Sequence, residues 1–163
     1  MTATGSAAPE ANPGELVGRG VERTLELARS WLAWDGRPVR SEDGSRLYTP
    51  NKVLRRHADH LVDHLAEIEA LLAGAATEPD HWHASAVTLG SDLAEFAEAD
   101  LNEATERLRR LARLYELRLA AAGPAEWDRP RDPNWSLRQI VEHVAGAWYA
   151  EQVGDLSATS SEN

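Results

Sequence analysis

Apolar residues return every three or four positions along four separate stretches of this chain, and nowhere do they alternate long enough to make a useful strand. At about 100° per residue, that spacing gathers apolar side chains on one face of a helix. Leu16, Val17, Val21, Leu25, Ala28, Trp31 and Leu32 make the first stripe, which stops at Asp35-Gly36-Arg37-Pro38, where Gly and Pro end helices. After the polar connection VRSEDGSRLYTP, Val53, Leu54, Leu61, Leu65, Ile68 and Leu72 make the second. Thr49-Pro50 fits an N-cap followed by Pro at the first helical position, and Gly74 closes the segment. A third run extends from about Asp92 to Ala122, with Leu93, Phe96, Leu101, Leu108, Leu111, Leu114, Tyr115 and Leu119 on its stripe and Leu101-Asn102 as a candidate break. Ser136 then reads as the N-cap of a last helix that carries Leu137, Ile140, Val141, Val144, Ala147 and Trp148 to about Gln152. Helices with one apolar stripe each can bury those stripes only against one another, so an all-α four-helix bundle is expected.

The 163 residues suffice for one core, expected over residues 15–153, with residues 1–14 as a disordered N-terminal tail and 154–163 as a flexible C-terminal one. A net charge of −10 argues against nucleic acid, whose phosphates need a basic stripe. The positive charge is almost all Arg, with Lys52 the only lysine, and Arg107, Arg109, Arg110 and Arg113 stand among acids on a solvated helix face. Abundant Ala, Arg and Glu beside so little Lys suits a GC-rich bacterial genome. No apolar run is long enough to cross a membrane, and MTATGSAAPEANPGE has neither the charged start nor the apolar middle of a signal peptide, so a cytoplasmic location is expected. Cysteine is absent, which removes disulfides, thiolate metal sites and a cysteine nucleophile and leaves histidine and carboxylate.

Three of the six histidines fall in RRHADHLVDHLAEIEALL. His57, His60 and His64 share a helix face, and His60 and His64 form an H-x-x-x-H pair whose imidazoles can converge on one ion. On the helical wheel His60 lies at one edge of the apolar stripe and His64 nearer its middle. The plainer reading makes these histidines the polar border of an amphipathic helix. His143, in WSLRQIVEHVAGAWYAEQ, stands at another such border and is open to the same two readings. His81 and His83 flank Trp82 in a loop, where Asp80, Ser85 and Ser91 are candidate caps. If His57 is laid over His143, Leu54 meets Ile140 and Ala58 meets Val144, a faint internal repeat that suggests two related helical hairpins.

Two segments resemble the DinB-like metal-binding four-helix bundles, relatives of mycothiol-dependent maleylpyruvate isomerase and the bacillithiol transferases. RLRRLARLYELRLAAAGPAEWDRPRDPNWSLRQIVEHVAGAWYAEQ is similar to that family's first hairpin, whose W-S-x-R-x-h-h-x-H-h stretch supplies one metal-binding histidine, here His143. VLRRHADHLVDHLAEIEALL resembles the later helix, whose H-x-x-x-H pair supplies the other two, here His60 and His64. The order is reversed relative to the family, so the resemblance implies a circularly permuted relative. It covers roughly Val21 to Gln152 and implies a metal site of His60, His64 and His143, with His57 as the first substitute to test.

Three neutral imidazoles without a fourth protein ligand leave an open coordination position. Zn²⁺ is the first expectation for such a site, and Ni²⁺ and Fe²⁺ also suit imidazole. The ion could activate water, or, as the resemblance implies, take a low-molecular-weight thiol as co-substrate, making the chain a thiol S-transferase or hydrolase of small molecules. Asp59, Asp63 and Glu142 are sequence neighbours of the ligand candidates and diverge from them by about 100° on the wheel. Glu67 and Glu151 return to the right faces and are candidates for hydrogen bonds that fix an imidazole tautomer. Trp135 and Trp148 are expected to pack in the core and seal helix ends. No phosphate-binding glycine loop or G-x-S-x-G elbow occurs. The competing reading is a non-catalytic helical module that forms a homodimer or binds another protein through its acidic amphipathic helices.

Overall fold

The computed structural model describes residues 10–78 and 87–157. The chain is mostly helical, with one two-stranded sheet among the described residues. Helix α1 (Glu15–Ser30) is prolonged by a 3-10 turn, Trp31–Ala33. A short antiparallel hairpin follows, β1 (Val39–Arg40) with β2 (Leu47–Tyr48), Val39 facing Tyr48. It lies inside the connection that carries no strand pattern, because two-residue strands are too short to display alternation.

Helix α2 (Pro50–Ala73) begins and ends where its local signals put it. Thr49 Oγ1 accepts from Lys52 N at 3.2 Å, and Gly74 takes the left-handed conformation, φ 67°, that stops a helix without a Cβ penalty. The same Thr49 hydroxyl donates to the carbonyl of Asp92 at 2.5 Å. The buried Asp92 carboxylate receives Arg55 Nε at 2.9 Å, Arg55 Nη2 at 2.8 Å and Leu89 N at 2.7 Å. This network turns Gly90–Leu93 into a 3-10 element against the start of α2, so the expected third helix begins late, as α3 (Glu98–Ala122). The interruption falls before Glu98, and α3 runs through Leu101-Asn102 unbroken.

After the short α4 (Pro124–Trp127), the expected last helix is two: α5 (Leu137–Val144) and α6 (Trp148–Val153). Ser136 caps α5 as expected, with Gln139 Oε1 returning to Ser136 N at 2.9 Å. The break contains Gly146 and is packed tightly against α1. Helix α1 presses Gly20 against the corner so closely that an added Cβ would stand 1.9 Å from the Ala145 carbonyl oxygen.

Helices α1 and α2 each pack on α3 and on the α5–α6 pair. Val17, Val21, Leu25 and Trp31 of the α1 segment meet Val53, Leu61 and Ile68 of α2, Leu108, Tyr115 and Leu119 of α3, and Leu137, Ile140 and Val141 of α5 in one core. Tyr115 donates its hydroxyl to the Leu61 carbonyl at 2.7 Å, pinning α2 between His60 and His64. Leu32, Leu93 and Leu114, counted on stripes by spacing, are about half exposed, because the apolar faces that remain buried are narrower than the periodic pattern. Among the described residues no helix is long and apolar enough to cross a membrane.

Parts of both expected tails are docked. Asn12 Nδ2 donates to the Glu116 carbonyl at 2.8 Å, Trp31 Nε1 donates to the Gly154 carbonyl at 2.7 Å, and Leu156 N donates to Ser30 Oγ at 3.0 Å. Residues 1–9 and 158–163, and the loop candidates Asp80, His81, Trp82, His83 and Ser85, lie outside the described residues.

Candidate metal centre

The middle of α2 and the last turn of α5 bring His60, His64 and His143 together. Each offers a ring nitrogen, and the three nitrogens lie within 4.8 Å of one another. Ring centroids are 4.7 Å apart for His60 and His64, 5.0 Å for His60 and His143, and 4.9 Å for His64 and His143. A tetrahedral ion with bonds of about 2.1 Å needs donors about 3.4 Å apart, so the three nitrogens stand at or somewhat beyond that spacing.

The burial gradient reverses the wheel placement: His60 is buried, at 5% exposure, His64 is half-buried and His143 is exposed. The α5–α6 corner is the reason, since it lays Trp148 and Tyr149 over the His60 side of α2, with ring centroids 6.1 Å and 5.7 Å from His60. Neither ring nitrogen of His60 has a hydrogen-bond partner among the described residues. Leaving a buried polar group unpaired costs about 1–3 kcal/mol, which coordination of one nitrogen would offset. Burial, aided by the charges of His64, His143, Arg56 and His57, pushes the His60 pKa down to about 3, so the ring is uncharged at neutral pH and one of its two nitrogens keeps a free lone pair. The donor set therefore fits a divalent ion.

His64 is oriented by Glu67, whose Oε2 lies 2.7 Å from its Nδ1. An ionised carboxylate can only accept, so Nδ1 carries the proton and Nε2 keeps the lone pair. Glu67 thus does what its spacing suggested, whereas Glu151 is exposed and, among the described residues, makes no bond to the cluster. His57 is not part of the group. It is buried on the α1 side of α2, where its Nδ1 shares a 3.1 Å hydrogen bond with Thr24 Oγ1, and burial lowers its pKa to about 4.

Several neighbours were not apparent from the sequence. Trp135 and Trp148 are exposed by 44% and 36% instead of sealed in the core. Trp135 stacks on His64, centroids 6.5 Å apart and planes inclined by 16°, and lies 5.0 Å from His143. Behind His60, the buried Arg56 guanidinium lies 5.6 Å from the Tyr149 ring centroid, its Nη2 donating to the Tyr149 hydroxyl at 3.4 Å. Arg56 precedes His60 by four residues, a spacing that could have drawn attention to it. Asp63, although it diverges from His64 on the wheel, borders a cavity of about 670 Å³ together with His64, Glu67, Trp135 and His143. The signal was its i, i+3, i+4, i+7 relation to Ala66, Glu67 and Ala70, which share that wall.

No family model, curated protein or solved structure matches this chain. The functional reading is accordingly carried by the geometry of the three imidazoles and the cavity beside them.

Proposed function

We propose that His60, His64 and His143 hold a divalent metal ion, Zn²⁺ in the first instance with Ni²⁺ and Fe²⁺ as alternatives, and that the protein is a metal-dependent thiol S-transferase or hydrolase of a small molecule. The observation that carries this reading is the buried, uncharged and unpartnered His60, set within donor reach of two further imidazoles. In this reading the chain is a DinB-like four-helix bundle with its two hairpins in permuted order, as the W-S-x-R and H-x-x-x-H segments suggest. A metal held by these three imidazoles would supply Lewis acidity beside the cavity that His64 and His143 line. The chain's own groups do the rest. Glu67 keeps the His64 tautomer in which Nε2 is the donor, Trp148 and Tyr149 shield His60 from water, and Trp135 and Asp63 border the space a substrate would occupy.

The test is elemental analysis of the purified protein. One divalent ion per chain is expected, lost in His64→Ala and His143→Ala variants that still fold; an ion content that those changes leave untouched sinks the site. The competing reading, a non-catalytic homodimer or partner-binding module, draws on the half-exposed Val62, Leu114 and Leu117. Metal-free protein with a melting temperature indifferent to chelator and a mass that rises with concentration would favour it.

A further inference from the structure

One buried charge beside the imidazoles has no task in the reading above. The Arg56 side chain is 2% exposed, and its Nε and Nη1 have no hydrogen-bond partner among the described residues. The ion pairs that its neighbour Arg55 forms with Asp59 and Asp92 have no counterpart at Arg56 among those residues. A buried cation without a counter-charge is costly, and a cation–π contact with Tyr149 offsets only part of that cost. Its place is specific. Arg56 and His60 stand one helical turn apart on α2, and both rest on the buried Tyr149 ring, 5.6 Å from its centre for the guanidinium carbon and 5.7 Å for the imidazole centre. The positive charge of Arg56 acts on His60 across this water-excluding contact.

We propose that Arg56 sets the ligand preference of the metal centre, its buried guanidinium raising the affinity of the held ion for a small anion over a neutral ligand. The inference rests on the metal-dependent reading above and adds the chemical class of ligand that the centre takes. Three neutral imidazoles bring no negative charge to a divalent ion, so the charge around the remaining position is decided by what lies behind the ligands. Asp63, Glu67 and Glu78 act against an anion from the cavity side. They are half-buried or exposed, however, and charges that face solvent are screened within about 10 Å at 0.1 M salt, whereas a charge buried against Tyr149 is screened much less. Removing the guanidinium therefore lowers anion affinity and at the same time relieves the ion of a like charge.

Co²⁺, whose visible absorption reports its ligands, is loaded into the full chain and titrated with thiocyanate, an anion, and with imidazole, which is neutral at about pH 8. Arg56→Met is expected to weaken thiocyanate binding about tenfold, leave imidazole binding within about twofold, and hold Co²⁺ at least as tightly as the unaltered chain. Arg56→Lys keeps the charge and should retain most of the thiocyanate affinity. Circular dichroism and melting curves show whether each variant folds, and Arg56→Gln is the second neutral variant if Arg56→Met does not. Thiocyanate affinity unchanged in the neutral variant overturns the proposal. Equal losses for both ligands overturn it too, and mark Arg56 as a structural residue. A chain that takes up no Co²⁺ overturns the metal reading and this inference together, whereas an ion held with ligand affinities indifferent to Arg56 overturns only this one.

Discussion

His64 Nδ1 and the Glu67 carboxylate stand 2.7 Å apart, one helical turn from each other on α2. The pair fixes which nitrogen of His64 can face a metal, and hydrogen-bonded carboxylates of this kind raise the basicity of the ring they hold. Glu67→Gln is expected to weaken Zn²⁺ binding by about 10- to 100-fold, less than His64→Ala, which removes a donor outright. Competition with a chromophoric chelator measures both. An affinity unchanged by Glu67→Gln would reduce the contact to an ordinary surface pair.

The Thr24–His57 hydrogen bond ties α1 to α2 inside the core and lies apart from the cluster. Thr24→Val keeps the shape and strands a buried imidazole nitrogen, so a loss of about 1–3 kcal/mol is expected. Metal affinity should hardly change. Chemical denaturation read beside metal titration separates the two quantities, and a variant that loses the ion as well would mean that His57 belongs to the site.

Metal-free protein should lose stability on acidification. The His57 pKa is lowered by burial from 6.5 to about 4, so between those values the unfolded chain binds more protons than the folded one and stability rises with pH. The loss sets in as pH falls below about 6.5 and approaches about 3 kcal/mol for this one group near pH 4. Urea unfolding at neutral pH and at pH 4.5 should show it, and His57→Gln should flatten part of the slope. A profile equally steep in that variant would assign the effect to other groups.

Gly20 provides a steric test of the α5–α6 corner. A methyl group there would meet the Ala145 carbonyl oxygen at 1.9 Å, whereas at Gly18 the nearest atom is a flexible Glu116 carboxylate oxygen at 3.4 Å. Gly20→Ala is expected to destabilise by about 1–3 kcal/mol or more and, by shifting the residues just after His143, to weaken metal binding too. Gly18→Ala should be close to neutral. Equal melting temperatures for the two variants would contradict the close approach.

What the sequence disclosed follows the range over which each feature is determined. Helix α2 was legible to its ends because Thr49, Pro50 and Gly74 act locally, and the shared face of His60 and His64 follows from helical geometry alone. That His143 meets them is a long-range fact, suggested only by the resemblance of two segments. The break after Val144 has a lone local signal, Gly146, and the glycine that lets the corner close against α1, Gly20, sits on another helix. Distance along the chain also hides Trp135 and Trp148, whose exposure depends on where that break leaves them, and Asp92, whose pairing with Arg55 delays the start of α3. Asp63 diverges from His64 on the helical wheel and so is no candidate for the same ion, yet a wide cavity is bordered by both.

The imidazoles are unequally anchored. Two ride one turn apart on the long α2, while the third lies in the last turn of the short α5, next to a corner that closes on Gly20 of α1. An ion bridging them would act as a clasp between distant parts of the chain, and its removal would be felt chiefly at the weaker anchorage. Amide exchange in α5 and α6 would then quicken on demetallation while α2 stayed protected, which makes the C-terminal hairpin the gauge of whether the centre is filled.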